Sequence, residues 1–450
     1  MKKYAFGFLI VLVVSLLAVI LFTNSFESID NLMKPPKLEG ESLEIQLAFE
    51  NTVGENYILK SPIKGKYRSA FTFIDLASDR NDEAVVFYSN ADEIGVVRMN
   101  VLDEVNGEWV SIADFESVHS EIQQIEFADL NGDKTKEIIA GWTTYQSDVA
   151  KSMSIYELSV DNEDNVSINL LYNDTYSEFS IMDIDCDNIY DLLNLKLVTT
   201  GPNTEYIASF LKYEDGSINE KGYVPLDHSI SSVKSVSSDN AYDFRRIFVD
   251  GYKIDSGMAT DCFYWNTQND EFRRYMYAEQ SISNLTSRTT NVISTDVNSD
   301  SVMEIPIEEM LPASSVITAE KAAFSEQSLI KWTHIGDRYL KPVEYHIVNS
   351  FSGYSFVFDS EWLGKVTAEN NLTNGTLTFY ELKAQNNTLI KGKELFTLKT
   401  FFEIPLDRSA TYYYKYLGSS KGKYYYYRIF SEGEEFGITR NLIKKKMIFS

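Results

Sequence analysis

The sequence predicts an all-β protein: a β-propeller of about five to six blades with calcium-type loops, plus a small β-rich C-terminal domain and an N-terminal transmembrane helix. Three observations lead there. One acidic spacing, with Asp at position 1, Asp at position 5 and a carboxylate at position 9, begins at Asp75, Asp129, Asp183 and Asp296. The copies keep a period: 54 residues separate Asp75 from Asp129 and Asp129 from Asp183, and the 113 from Asp183 to Asp296 make about two periods. Each copy lies between short apolar runs of strand composition, and a fixed period of this length signals a repeat architecture.

From the N-terminus, Met1, Lys2 and Lys3 precede nineteen residues, 4–22, without a charge. At ~1.5 Å per residue that run spans about 28 Å, close to the ~30 Å hydrocarbon core of a bilayer. Lys2 and Lys3 before it, with Glu27 and Asp30 after it, place the body of the protein outside the cytoplasm. A cleaved signal peptide, and hence a secreted protein, is the competing reading. The run is longer than an ordinary signal core, and residues 22–26 lack a small-x-small cleavage site. No Cys closes it for lipid attachment, so a single-pass cell-membrane anchor is favoured. Residues 27–42, with Pro35 and Pro36, read as a stalk.

Residues 43–349 carry the repeats. Phe71 and Phe73, Ile125 and Phe127, and Phe179 and Ile181 fall four and two residues ahead of their loops, a period-2 alternation that puts each pair on one strand face. After the loops come the runs 84–87, 138–142, 192–195 and 305–307, apolar enough for strands buried on both faces. Two more strands, such as 154–159 and 166–171, complete a unit. Four strands in ~50 residues, repeated, make a propeller blade. A worn copy at Asp239 and Asp243 lies 56 residues after Asp183 and keeps the strand Ile247, Phe248, Val249.

Oxygen side chains at alternating positions of a tight loop are what a hard cation such as calcium requires. Asp75, Asp79 and Glu83 form the poorest set, because Ala77 stands at position 3. The loop with its flanks, Phe127-Ala-Asp-Leu-Asn-Gly-Asp133 followed by Glu137-Ile138-Ile139, resembles the FG-GAP/VCBS repeat of integrin α-subunit propellers and many bacterial surface proteins. The resemblance extends from near Ser42 to Asn349. It implies calcium held by side chains at positions 1, 3, 5 and 9 and by the carbonyl of position 7. The ligands implied are Asp129, Asn131, Asp133 and Glu137 with the Thr135 carbonyl. The other sets are Asp183, Asp185, Asp187 and Asp191, and Asp296, Asn298, Asp300 and Glu304. Such loops usually have Gly at position 6, where this chain has Arg80, Lys134, Asn188 and Ser301. Asn tolerates left-handed backbone best of these, which makes the Asp183 loop the best single candidate. The worn copy has Ala241 at position 3 and Ile247 at position 9 and is not expected to bind. The competing reading of all these stretches is an ordinary Asx-rich turn.

Residues 350–450 lack the acidic loop and read as a separate β-rich domain. Strands are expected at 354–358, 375–380, 394–398 and 424–429, with a hairpin turn at Asn374-Gly375. Tyr412–Tyr414 and Tyr424–Tyr427 are expected to face each other across a Gly/Lys turn, a surface suited to stacking on sugar or on a partner protein.

A net charge of −25 excludes nucleic acid as a partner, since phosphate binding needs clustered Lys and Arg. Two cysteines, Cys186 and Cys262, are too few for a disulfide scaffold and are expected as free thiols. The four histidines, 119, 228, 334 and 346, sit in no zinc or nucleophile motif. The expected function is therefore calcium-stiffened binding or adhesion to a protein or glycan partner at the cell surface. The alternative is an enzyme acting on polysaccharide or cell-envelope substrate at the channel mouth. A third reading makes the C-terminal domain the functional part and the repeats a spacer.

Overall fold

The structure, a computed structural model, describes residues 40–449 apart from 94, 145–146, 161–165, 201–202, 241–243, 319–325, 337–338 and 406–410. The apolar run 4–22, most of the expected stalk, and Ala241 and Asp243 of the worn loop lie outside the described residues. Among the described residues no helix is long and apolar enough to cross a membrane.

The chain is all-β, and its repeats are four-stranded antiparallel sheets in chain order. The first sheet holds Phe71–Ile74, Glu83–Asn90, Arg98–Val105 and Glu108–Glu116, with Tyr57–Leu59 sharing the edge of Glu83–Asn90. The second is Glu121–Ala128, Glu137–Thr144, Ser147–Val160 and Val166–Thr175, and the third Glu178–Met182, Asp191–Thr200, Asn203–Glu214 and Ser217–Pro225. The fourth is Ile230–Asp239, Arg246–Lys253, Met258–Asn266 and Glu271–Arg274.

The second strand of each sheet is the core of its unit, because its two faces bury side chains in different directions. In the first sheet Ala84, Val86 and Tyr88 pack outward while Val85 and Phe87 pack toward the second sheet. Ile138 and Ala140 face back to the first sheet and Ile139 faces the third. Leu192 faces the second sheet, whereas Leu193 and Leu195 face the fourth. All these side chains are buried, and each Val, Leu, Ile or Phe among them contributes ~1.5–3 kcal/mol relative to exposure.

A helix, Glu41–Val53, stands where the repeats were expected to begin. Its Ile45, Ala48 and Phe49, at helical spacing, cover the outer face of the first sheet. Phe49 meets Tyr57, Phe71 and Tyr88 edge-on at 5.0–5.8 Å. At the other end, the fifth sheet contains Ile305–Met310, Ser328–Gly336, Tyr339–Asn349, Tyr354–Phe358 and Met447–Phe449. The sixth runs Ser315–Ile317, Val366–Asn371, Thr376–Gln385, Thr388–Phe401, Lys423–Ile429 and Lys415–Ser420.

Among the described residues, strand pairing therefore crosses residue 350 twice. Tyr354–Phe358 continues the fifth sheet, and Ser315–Ile317 joins the sixth in parallel with Val366–Asn371. One apolar core, with Phe356, Trp362, Phe379 and Phe396, fills the space between the two sheets. Among the described residues no apolar cluster joins the first sheet to the fifth or sixth.

Candidate cation-binding loops

In the first three units the acidic loop lies between the first and second strands, and in the fifth it lies inside an isolated bridge just ahead of Ile305–Met310. Position 9 pairs with the residue just before the loop: Ile74 with Glu83, Ala128 with Glu137, Met182 with Asp191, and Thr295 with Glu304. The intervening residues are folded by their own carboxylates. The position-1 Asp accepts the N–H of position 6, at 3.1 Å from Arg80, 2.9 Å from Lys134, 3.1 Å from Asn188 and 2.8 Å from Ser301. The position-5 Asp accepts from Asn81, Thr135, Ile189 or Val302 at 2.7–2.9 Å. The position-9 carboxylate reaches back to the N–H of Leu76, Leu130, Ile184 or Val297 at 2.6–3.1 Å.

This wrapping demands left-handed backbone twice per loop. Position 6 has φ of 80°, 80°, 72° and 69° at Arg80, Lys134, Asn188 and Ser301, the conformation that glycine would take freely. Position 4 is also left-handed, at Ser78, Gly132, Cys186 and Ser299, a turn that no shared residue type marks.

Position 9 is the most buried part of each loop. Glu83 is 4 % exposed, Glu137 and Asp191 1 %, and Glu304 0 %. Burial pushes their carboxyl groups up, to about 7 for Glu137, Asp191 and Glu304, and the loop aspartates add to the rise while the N–H from position 2 opposes it. Oε1 of Glu304 and Oδ1 of Asp191 are buried with no hydrogen-bond partner. A buried carboxylate with an unmatched oxygen is costly unless a proton or cation joins it. An all-oxygen donor set of this kind fits calcium.

Contacts run from each loop region to the next along the chain. Ser78 Oγ donates to the Lys134 carbonyl at 2.6 Å. A Cβ on Gly132 would lie 3.2 Å from Ile189 of the next loop. Arg245 donates to the carbonyl of Asp183, and the N–H of Met303 donates to Asp239 at 2.8 Å.

The third loop brings Asp183, Asp185 and Asp187 close enough to share an ion, with ligand atoms within 4.8 Å of one another. A side chain from the third strand enters it: the Lys212 ammonium lies 2.5 Å from Asp185, 2.6 Å from Asp187 and 3.8 Å from Asp191. Burial works against the charge on Lys212, but its bonds to Asp185 and Asp187 outweigh burial and push its pKa up. In the second and fifth loops, Asn131 and Asn298 at position 3 instead donate to Asp133 and Asp300, at 3.1 Å and 2.9 Å.

The worn loop is organised differently from its spacing. Asp239 pairs with Arg246 in the ladder, so Asp239 stands before the loop and Arg246, not Ile247, occupies position 9. The loop is two residues shorter than the others. Arg246 is fully buried and holds Asp239 through two bonds, at 3.0 Å and 2.6 Å, with a third to the Ile335 carbonyl at 2.6 Å. A guanidinium fills the place of the position-9 carboxylate.

Elsewhere the expected residues do not converge. Cys186 and Cys262 are free, one exposed and one buried. His119 stacks on Trp142 at 5.6 Å, and burial lowers its pKa. His346 bonds Glu344 at 2.7 Å and Ser355 at 3.1 Å, a hydroxyl–imidazole–carboxylate series that sequence reading missed because its members come from two strands.

The tyrosine runs do not face each other. A tight turn at Lys421 and Gly422, both at positive φ, puts Lys415, not a tyrosine, opposite Tyr427. Tyr425 and Tyr427 are core residues, whereas Tyr412 and Tyr413 are 78 % and 64 % exposed. Tyr413 packs against the Arg428 guanidinium at 5.2 Å beside a cavity of about 530 Å³ that Lys415 and Arg440 also line. Compared with known proteins, the chain matches no family model and no curated sequence.

Proposed function

We propose that the chain is a membrane-anchored, extracytoplasmic binding module whose propeller-type repeat sheets are braced by calcium. The observation that carries this is the repeated position-9 carboxylate, buried beneath a loop of further carboxylates in four units. In the second loop the ligands would be Asp129, Asn131, Asp133 and Glu137 with the Thr135 carbonyl, and in the fifth Asp296, Asn298, Asp300 and Glu304. The buried, unpartnered Oε1 of Glu304 supports the fifth most directly. Asp75, Asp79 and Glu83 would make a weaker site, one ligand short. Bound calcium would hold the first two strands together and offset the repulsion of clustered acids, leaving a rigid frame to present a partner surface. The exposed tyrosines beside the cationic cavity of the sixth sheet are the surface best suited to a glycan or protein partner. The resemblance to FG-GAP/VCBS repeats agrees with this reading.

A thermal melt tests it. The metal-stripped protein should gain stability with calcium, by ~2.7 kcal/mol per site at 100 times the dissociation constant, and less with magnesium. Glu304→Gln and Asp133→Asn should each remove part of the gain. Identical melts with and without calcium would make the loops ordinary Asx turns.

A further inference from the structure

The residue across the ladder from position 9 differs from loop to loop. Continuing the pairings of Ala84 with Leu102, Ile138 with Tyr156, Leu192 with Leu211 and Ile305 with Thr333 by one residue sets Asp103, Glu157, Lys212 and His334 opposite Glu83, Glu137, Asp191 and Glu304. Cross-strand neighbours share a face of the sheet, so each of these residues is directed at its own loop. In the first two loops the neighbour is a further carboxylate. In the third it is a permanent cation, and its contacts fall on positions 3, 5 and 9, three of the four side chains a metal would use. Lys212 is only 14 % exposed there, so its charge has few alternative partners. The fourth unit solves the same problem with Arg246 at position 9 itself.

We propose that the Lys212 ammonium closes the third loop in place of a metal ion, so that residues 183–191 fold without the calcium their neighbours take up. The ammonium donates to Asp185 and Asp187, and its charge stands 3.8 Å from the buried Oδ1 of Asp191, close enough to offset that carboxylate without a hydrogen bond. The array thus holds two kinds of loop, one braced by an external cation and one by a side chain. The contrast between them rests on the calcium reading of the second and fifth loops. The role of Lys212 in the metal-free protein does not.

The experiment uses the full chain, stripped of metal, with calcium alone as the probe, read by calorimetric titration and by thermal melts. Lys212→Met is compared with wild type and with Lys196→Met, a control that removes a similarly shielded lysine of the same sheet, paired with Asp174 of the second sheet. Lys212→Met should take up about one more calcium per chain than wild type. Metal-free, it should melt below Lys196→Met, and calcium should close that gap. Asp187→Asn, which keeps the loop's shape, should leave the wild-type calcium count unchanged. Equal counts in wild type and Lys212→Met, or a calcium lost in Asp187→Asn, would overturn the proposal. If no form binds calcium, the reading of the second and fifth loops falls. The metal-free melts then decide the matter alone, and Lys212→Met melting no lower than the control overturns the role of Lys212.

Discussion

Lys134 shows how much of a loop's energy rests in one backbone angle. Its φ of 80° forces a side chain into left-handed backbone, at a cost of ~1–2 kcal/mol. Glycine there removes the clash and adds ~0.5–1 kcal/mol of unfolded-state entropy. Lys134→Gly should therefore stabilise the protein by up to ~1 kcal/mol, visible as a raised urea midpoint with unchanged slope; a lowered midpoint would mean that the lysine makes compensating contacts. Gly132→Ala should do the reverse, because φ is 78° and its Cβ would press on Ile189 at 3.2 Å. The strain at position 6 was legible from the residues that stand there. That at position 4 was not, because Ser78, Gly132, Cys186 and Ser299 share no chemistry that marks left-handed backbone.

At the scale of the element, the fourth unit shows where spacing misleads. Its Asp239 falls near the expected period, but the loop is short by two residues and the ladder sets Asp239 against Arg246. A count along the chain cannot detect a deletion inside the motif it is counting. The pair is 0 % and 1 % exposed, so removing Asp239 takes a directly bonded counter-charge from Arg246 where water cannot replace it. Asp239→Ala should cost ~3–5 kcal/mol in a denaturant melt, while a joint Asp239→Leu, Arg246→Met replacement should cost far less, since apolar residues of similar volume often replace a buried pair without loss. Equal losses in the single and double variants would show that Arg246 matters for its bond to Ile335 and not for its charge pair. Lys212 escaped the sequence reading for a related reason: it meets Asp187 from 25 residues away, through a register that only the folded sheet defines.

At the scale of the whole molecule, strands and their order were legible because the apolar runs were periodic, and the two ends were not. Glu41–Val53 carries only three buried side chains, Ile45, Ala48 and Phe49, too few to stand out among acidic neighbours, yet they cover the face that another sheet would otherwise cover. The change of composition at residue 350 does not coincide with a break in hydrogen bonding, since strands pair across it. What unites the molecule is a row of loops whose buried carboxylates all titrate in one direction. With metal removed, Glu137, Asp191 and Glu304 are raised to about 7 by burial, above their unfolded values. The folded protein then holds protons that the unfolded chain releases, so the stability these groups lend is complete below about pH 4 and is lost as pH rises through about 7. Calcium needs the ionised form and acts against that loss. The melting temperature of the metal-free protein should therefore fall between pH 5 and pH 8, while that of the calcium-saturated protein falls less, since calcium holds the Glu137 and Glu304 loops but not the Asp191 loop, so the gap between the two curves widens with pH. Parallel curves would mean that calcium, if it binds, does so away from these carboxylates, and that the row of loops is held by its own hydrogen bonds alone.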